Sequence, residues 1–271
     1  MSLNNLLKVG AVALPKVEQA AAWMIEQGPI IEHPELPPWV LRTLVGQNRV
    51  ARLRRGVYAV PDAQGRLRLS PFAVGEIVEP GSILSFHAAL AFWNLTDQTP
   101  RRIGVLSKTR HSSIAFGQQT VVFLARPRAL KRMERKLAKI GDLTVRVATP
   151  SQAFVDALSS PPLAASPAEL LAILAHGLAT KILTPTGLRR RAIADGSLVV
   201  ARRLGLLLEL ATGTADSELL DRARTSHAYS SFDGPEDQQA THAVPRWLLR
   251  TPAAPERIQA AAGVTISAST A

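Results

Sequence analysis

The chain has 271 residues, 46% of them apolar, 20% charged and 5% aromatic, enough for one large unit or two modest ones with real apolar cores. Lys and Arg total 32 against 21 Asp and Glu, a formal charge of +11, and 25 of the cations are arginine; that balance favours an acidic partner, nucleic acid before membrane. The absence of cysteine excludes disulfides, thiolate metal sites, iron–sulfur clusters and cysteine nucleophiles, and no run approaches the ~18 apolar residues of a membrane span.

The Val/Ala/Leu run within Met1 to Leu14 is too short for the core of a signal peptide, so a cytoplasmic location is expected. Lys16 to Gln27 reads as a helix: Pro15 fits its first turn, Val17, Ala20, Ala21 and Met24 recur at helical spacing, and Gly28-Pro29 stops it. Residues 29–36 hold two prolines and little periodicity; either they form a turn or residues 3–9 supply a helix of the bundle. Pro38 to Asn48 reads as a second helix with the apolar stripe Val40, Leu41, Leu44 and Val45, which leaves Arg42, Thr43, Gln47 and Asn48 off the stripe. Val50 to Val60 then alternates as β-structure. Arg52 and Arg54 fall on one face, with Leu53 and Arg55 on the other before Gly56 resets the register. Val57 and Tyr58 give the ribbon an apolar attachment, Pro61 to Gly65 reads as a turn, and Arg66 to Leu69 alternates again. Helix, helix and basic hairpin, in that order, make a winged helix.

A second unit starts near Ser70. Pro71 to Ile77 reads as helical, Gly81 to Leu84 as a short strand or cap, and Ser85 to Trp93 as a compact helix. Ile103 to Ser107 and Thr120 to Leu124 read as strands separated by the basic turn Lys108 to His111. Arg128 to Ile140 reads as a strongly basic helix or bent segment with Leu130, Met133 and Leu137 near one face, and Leu143 to Val147 as a strand. Helices are expected at 151–158, 167–176, 180–194 and 197–211. The polar last forty residues carry one apolar anchor, Trp247-Leu248-Leu249, and are expected to pack there and fray beyond it.

The charge is uneven. Residues 42–68 carry seven arginines against Asp62, and residues 101–146 carry twelve cations against Glu134 and Asp142. Residues 207–243 run the other way, with seven carboxylates against Arg222 and Arg224.

Little points to catalysis. None of the six histidines forms a close metal-ligand pair, and His87, beside Phe86 on a helix, reads as a packing or capping residue. There is no P-loop and no Gly-x-Ser-x-Gly elbow. The basic region lacks the clustered carboxylates that a metal-dependent nuclease needs, Asp97 near Arg101 and Arg102 reads as an ion pair, and Glu209, Asp216, Glu218 and Asp221 read as a solvated helix face. No cofactor or metal is expected.

The hairpin is chemically different. Arginine on a strand edge can straddle phosphates, and at a tip it can enter the minor groove. Arg49, Arg52, Arg54 and Arg55 are therefore candidate DNA contacts, and Arg42, Gln47 and Asn48 on the preceding helix are candidates to read base edges. Arg132 and Arg135 on the expected basic helix are candidate phosphate contacts.

The segment Arg49-Val50-Ala51-Arg52-Leu53-Arg54-Arg55-Gly56-Val57-Tyr58 resembles the wing of the AbiEi family of antitoxins from type IV toxin–antitoxin systems. The resemblance continues through Gly81 to Gln98, Val147 to Asp156 and Ala201 to Glu209, four markers in order across residues 16–211. Residues 29–36 depart from the family, whose members usually show a clearer helix there, and Asn94-Leu95-Thr96 lacks the glycine often found at that turn. The resemblance implies an N-terminal winged helix joined to a larger antitoxin domain, autoregulation through an inverted-repeat operator, and a nucleotidyltransferase-type toxin as partner. It also carries residues 38–48 over to the recognition helix and Arg52, Arg54 and Arg55 to the wing.

The expected architecture is α+β: a winged helix-turn-helix over residues 1–70, a mixed α/β then helical antitoxin-type domain over 71–215, and a partly flexible extension over 216–271 anchored near 247. The expected function is a non-enzymatic, sequence-specific DNA-binding repressor that self-associates on double-stranded DNA, with no membrane role. A metal-dependent nuclease and an antitoxin acting mainly by protein–protein contact are the alternatives.

Overall fold

The computed structural model describes residues 13–62, 69–116, 118–160, 163, 165–233 and 242–264. Residues 3–9, with their proposed helix, and residues 63–68, with most of the expected second turn and strand, lie outside the described residues. The fold is mixed α/β, with one six-stranded sheet, two three-stranded sheets and several helices.

Helix α1 (Ala13–Gln27) buries Val17, Ala20, Ala21 and Met24, the stripe that its sequence spacing sets out. Residues 30–32 are not a turn but strand β1 (Ile30–Glu32), which joins the hairpin by pairing antiparallel with β3 (Val57–Ala59). The short run Ile30-Ile31 finds its backbone partners only in that distant strand, which is why no local pattern marks it. Helix α2 (Pro38–Gly46) starts on Pro38, whose fixed φ suits a first helical position, and buries Val40 and Leu44. Strand β2 (Ala51–Arg54) then pairs with β3 across a two-residue turn at Arg55-Gly56. The tight turn therefore falls at Arg55-Gly56, with Arg55 at the exposed tip instead of opposite Arg52 and Arg54. Gly56 is required there: its φ is +78°, and a β-carbon would lie 2.6 Å from the His33 ring.

In the three-stranded sheet β1-β3-β2 the middle strand β3 is buried on both faces. Val50, Tyr58 and Val60 join an N-terminal apolar cluster with α1 and α2, whereas Leu53, Val57 and Ala59 join the main core of the molecule.

The main core surrounds a six-stranded sheet of order β6-β7-β5-β4-β9-β8. Its strands are β4 (Ile83–Leu84), β5 (Arg102–Ser107), β6 (Ile114–Phe116), β7 (Gln119–Ala125), β8 (Arg135–Ile140) and β9 (Leu143–Ala148). The pairings β5–β7 and β4–β9 are parallel, and the central β5–β4 pairing and the two outer ones are antiparallel. β2 lies against the edge strand β6. Helices α3 (Val74–Val78) and α4 (Phe86–Phe92) flank β4 in the chain, and α5 (Pro127–Leu130) is a single turn after β7.

The basic segment 128–140 is thus not a helix. Only Pro127–Leu130 is helical, and Arg135–Ile140 is the outer strand of a hairpin with β9. Leu130 and Met133 are buried as expected, but Leu137 is 68% exposed on the free sheet edge. Lys136 and Lys139 on that edge carry the charge that protein sheets use to discourage edge-to-edge pairing.

Helices α6 (Pro150–Ser159), α7 (Pro167–Ala179), α8 (Pro185–Asp195) and α9 (Leu198–Thr212) follow, with α8 starting at Pro185, not at residue 180. Among the described residues, the C-terminal part forms regular elements beyond its single expected anchor. It adds α10 (Ser217–Ala223), the sheet β10 (Ser230–Ser231), β12 (Leu249–Thr251) and β11 (His242–Val244), and α11 (Pro255–Ala261). Trp247 is fully buried, as an anchor should be, and its indole N–H donates to Glu209 at 2.6 Å. Arg202 is buried as well; its guanidinium donates to the carbonyls of Ala223, Ser226 and Ala228, clamping this segment to α9. Three of the four acids expected on a solvated helix face are engaged in structure, and Asp221 is exposed. Asp216 caps α10 and pairs with Arg189, Glu218 pairs with Arg189, and Glu209 also pairs with Arg246.

Candidate functional site

α2, the turn after it and the β2–β3 hairpin carry Arg42, Gln47, Asn48, Arg52, Arg54 and Arg55 as exposed residues, and Asn48 lines one groove with the three hairpin arginines. Burial of Val40 and Leu44 turns Arg42 outward, and Gln47 and Asn48 are exposed where the helix ends. Asn48 has φ +55°, a left-handed conformation that asparagine tolerates better than most residues, and it redirects the chain into β2. On β2, burial of Leu53 between Arg52 and Arg54 aims both arginines at solvent.

These cations are not equivalent. Arg49 pairs with Glu18 of α1 at 2.5 Å, and Arg54 with Glu32 of β1 at 3.3 Å. Arg42, Arg52 and Arg55 form no ion pair among the described residues. The arginines free to meet an external anion are therefore one on the helix, one on the strand and one at the hairpin tip.

Beside this surface lies a groove of about 830 Å³. One wall is Asn48, Arg52, Arg54 and Arg55, and the other is His111, Ser112, Ser113 and Gln118 from the β5–β6 and β6–β7 connections. The second wall is held by Glu79, after α3. Its carboxylate accepts from the backbone N–H of Lys108 at 2.5 Å and of Thr109 at 3.1 Å, and from the Thr109 hydroxyl at 2.6 Å, with His111 Nε2 at 2.8 Å. Burial by itself would raise this carboxyl's pKa, but the hydrogen bonds from Thr109, Lys108 and His111 outweigh it and hold the pKa at about 2. Composition marked 108–111 only as a basic turn; its place opposite the hairpin depends on β2 meeting β6.

Arg132 and Arg135 are not brought to this groove. Five strand spacings, about 24 Å, separate edge strand β6 from edge strand β8. Arg135 donates to the carbonyls of Leu130 at 3.1 Å and Met133 at 3.2 Å, and Arg132 lines a different cavity. His87 packs as expected, 8% exposed, with Nε2 3.0 Å from Glu169. Among the described residues no three His, Cys, Asp or Glu side chains gather as a metal site would require, and no helix is long and apolar enough to cross a membrane.

No family model matches the sequence, and no curated protein matches it. The fold is similar to that of a solved structure. The crystal structure of the RV2827C protein from Mycobacterium tuberculosis superposes with a TM-score of 0.52 over 88% of this chain and 90% of that one. The two sequences are 15% identical, so the likeness is one of fold alone.

Proposed function

We propose that this protein is a sequence-specific DNA-binding repressor in which α2 is the recognition helix, and β2–β3 the wing, of a winged helix-turn-helix. The observation that carries this reading is the arrangement of Arg42, Arg52 and Arg55: three cations without internal partners, on one helix and one adjoining hairpin, next to exposed Gln47 and Asn48. Arginines on the hairpin bind phosphates or enter the minor groove, while Arg42 and Asn48 have the donor and acceptor patterns for guanine and adenine edges. The groove beyond the wing adds the hydroxyls of Ser112 and Ser113 as neutral phosphate partners. The proposed footprint centres on this surface, with Arg132 and Arg135 as outlying cations on the far side of the sheet.

The ordered sequence markers that resemble AbiEi antitoxins support a more specific role: autoregulation of a toxin–antitoxin operon through an inverted repeat, with a nucleotidyltransferase-type toxin as partner. The decisive experiment is a gel-shift titration at fixed salt with a duplex from the gene's own upstream region and a scrambled duplex of equal length. Tighter binding to the upstream duplex, by at least about a hundredfold, is expected of a specific repressor. Equal affinity for the two duplexes overturns the reading.

A further inference from the structure

A second cavity, of about 650 Å³, opens between α5 and α8 and shares no lining residue with the groove beside the hairpin. Its cations come from separate elements: Arg126 from the end of β7, Arg128 from α5, Lys131 and Arg132 from the following loop, and Arg191 from α8. Arg128, Lys131 and Arg132 form no ion pair among the described residues. Arg126 donates to the hydroxyls of Ser159 at 3.4 Å and Ser160 at 3.0 Å, which fix its orientation without an ion pair. Arg191 pairs with Glu134 at 3.3 Å, and its buried Nε has no hydrogen-bond partner. Two carboxylates, Asp156 and Asp195, line the cavity as well, so the five cations, held by four different segments of the fold, outnumber the lining anions by three.

The floor has a different chemistry. Asp156, 5% exposed, accepts hydrogen bonds from the Ser85 hydroxyl and from Gln152 Nε2, the latter at 2.8 Å. Each carboxylate oxygen retains a further lone pair. Leu106 and Met133 supply apolar wall. The geometry points to a binding site for a phosphorylated small molecule: an anionic group against Arg126, Arg128 and Lys131, and a hydroxyl-bearing body toward Asp156 and Gln152. The volume lies within the range of small-molecule sites. A duplex is a poor fit, because its phosphates lie on a convex cylinder about 20 Å wide and a carboxylate lies at the bottom of this cavity. This inference stands apart from the proposed wing and recognition helix, since no residue is shared.

The test is calorimetric titration of the full chain with AMP, ribose 5-phosphate, adenosine and ribose at constant ionic strength. Saturable binding of one phosphorylated probe per chain is expected, at least tenfold tighter than its unphosphorylated counterpart. The exposed double variant Arg128→Ala/Lys131→Ala is expected to weaken that binding at least tenfold with an unchanged circular dichroism spectrum and melting temperature. A second variant, Arg126→Gln, is expected to do the same. Three results overturn the proposal: equal or absent binding of phosphorylated and unphosphorylated probes, heat matched by sodium sulfate at the same concentration, or stoichiometric displacement of the probe by duplex DNA.

Discussion

Val57 and Tyr58 are neighbours on β3 yet pack into different cores, Val57 into the large sheet-and-helix core and Tyr58 into the cluster formed with α1 and α2. Alternation along a strand makes this possible, because successive side chains leave opposite faces of the sheet. β3 is thereby wedged between two apolar masses, and the hairpin it shares with β2 is not a free flap. Val57→Ala should lower stability by about 2 kcal/mol through lost burial and a residual void. Because β3 couples the two cores, thermal unfolding followed by both tryptophan fluorescence and far-ultraviolet circular dichroism should give one coincident transition. Two separated transitions in the unmodified chain would show that the cores are not coupled through β3.

A similar close approach fixes the C-terminal part. Gly205 lies in the middle of α9, directly beneath the Trp247 indole, where a β-carbon would overlap the ring. Alanine is intrinsically better than glycine in a helix by about 1 kcal/mol, so propensity alone predicts a gain from Gly205→Ala. Steric overlap with a fully buried ring reverses the sign, and we expect a net loss of about 1–3 kcal/mol in urea denaturation. A stabilised variant would mean that Trp247 is not seated against α9.

How much of this was legible beforehand depends on whether the determining contacts are local. The stripe of α1, the off-stripe placement of Arg42, Gln47 and Asn48, and the outward alternation of Arg52 and Arg54 follow from periodicity within a dozen residues. Segment 128–140 misled because Leu130, Met133 and Leu137 repeat at helical spacing and Lys and Arg are good helix formers. The contrary signal was Gly141-Asp142, a two-residue turn with Gly141 at φ +58°, which pairs Ile140 with Leu143 and commits the run before it to a hairpin. Strand β1 and the β10-β12-β11 sheet had no such mark, since their partners are distant in the chain. The ion pairs of Arg49 and Arg54, and the groove wall held by Glu79, likewise come from tertiary placement.

Asp156 gives the fold a pH dependence of definite sign. Burial raises its pKa from 3.8 to about 6, against the lowering effect of the hydrogen bonds from Ser85 and Gln152; the neighbouring Asp195 adds to the rise and Arg126 opposes it. The folded state therefore holds this proton more tightly than the unfolded chain, and Asp156 makes stability fall as pH rises from about 4 to about 6. Asp156→Asn cannot ionise, so its melting temperature should decline less than the parent's over that interval. Parallel profiles for the two proteins would remove Asp156 as the source.

Glu79 works in the opposite direction. With a pKa held at about 2 against an ordinary 4.5, its contribution is fully present above pH 4.5 and is lost as pH falls toward 2. The amides of Lys108 and Thr109 should lose hydrogen-exchange protection over that range before the amides of β5 do. In Glu79→Ala the same two amides should exchange rapidly at neutral pH. Protection that survives the substitution would mean that the loop is held by other contacts.

The unequal pairing of the arginines makes the DNA reading unusually easy to test. Arg52→Ala and Arg55→Ala each remove an unpaired cation, and each should lower the slope of log affinity against log salt by about one unit on operator and scrambled duplexes alike. Substituting Asn48, if it reads a base edge, should instead reduce the ratio between the two duplexes at an unchanged slope. Glu18→Gln and Glu32→Gln act from the other side, since each releases an arginine from an internal carboxylate and removes a negative charge near the footprint. Both pairs are substantially exposed, so their loss should cost the fold little, within about 1 kcal/mol. Affinity for both duplexes should then rise at low salt, and the gain should shrink as salt screens the new charge. Fluorescence anisotropy at several salt concentrations measures all of these effects on one instrument. If Arg52→Ala and Arg55→Ala leave the slope untouched while Glu18→Gln and Glu32→Gln leave affinity untouched, the hairpin does not face DNA.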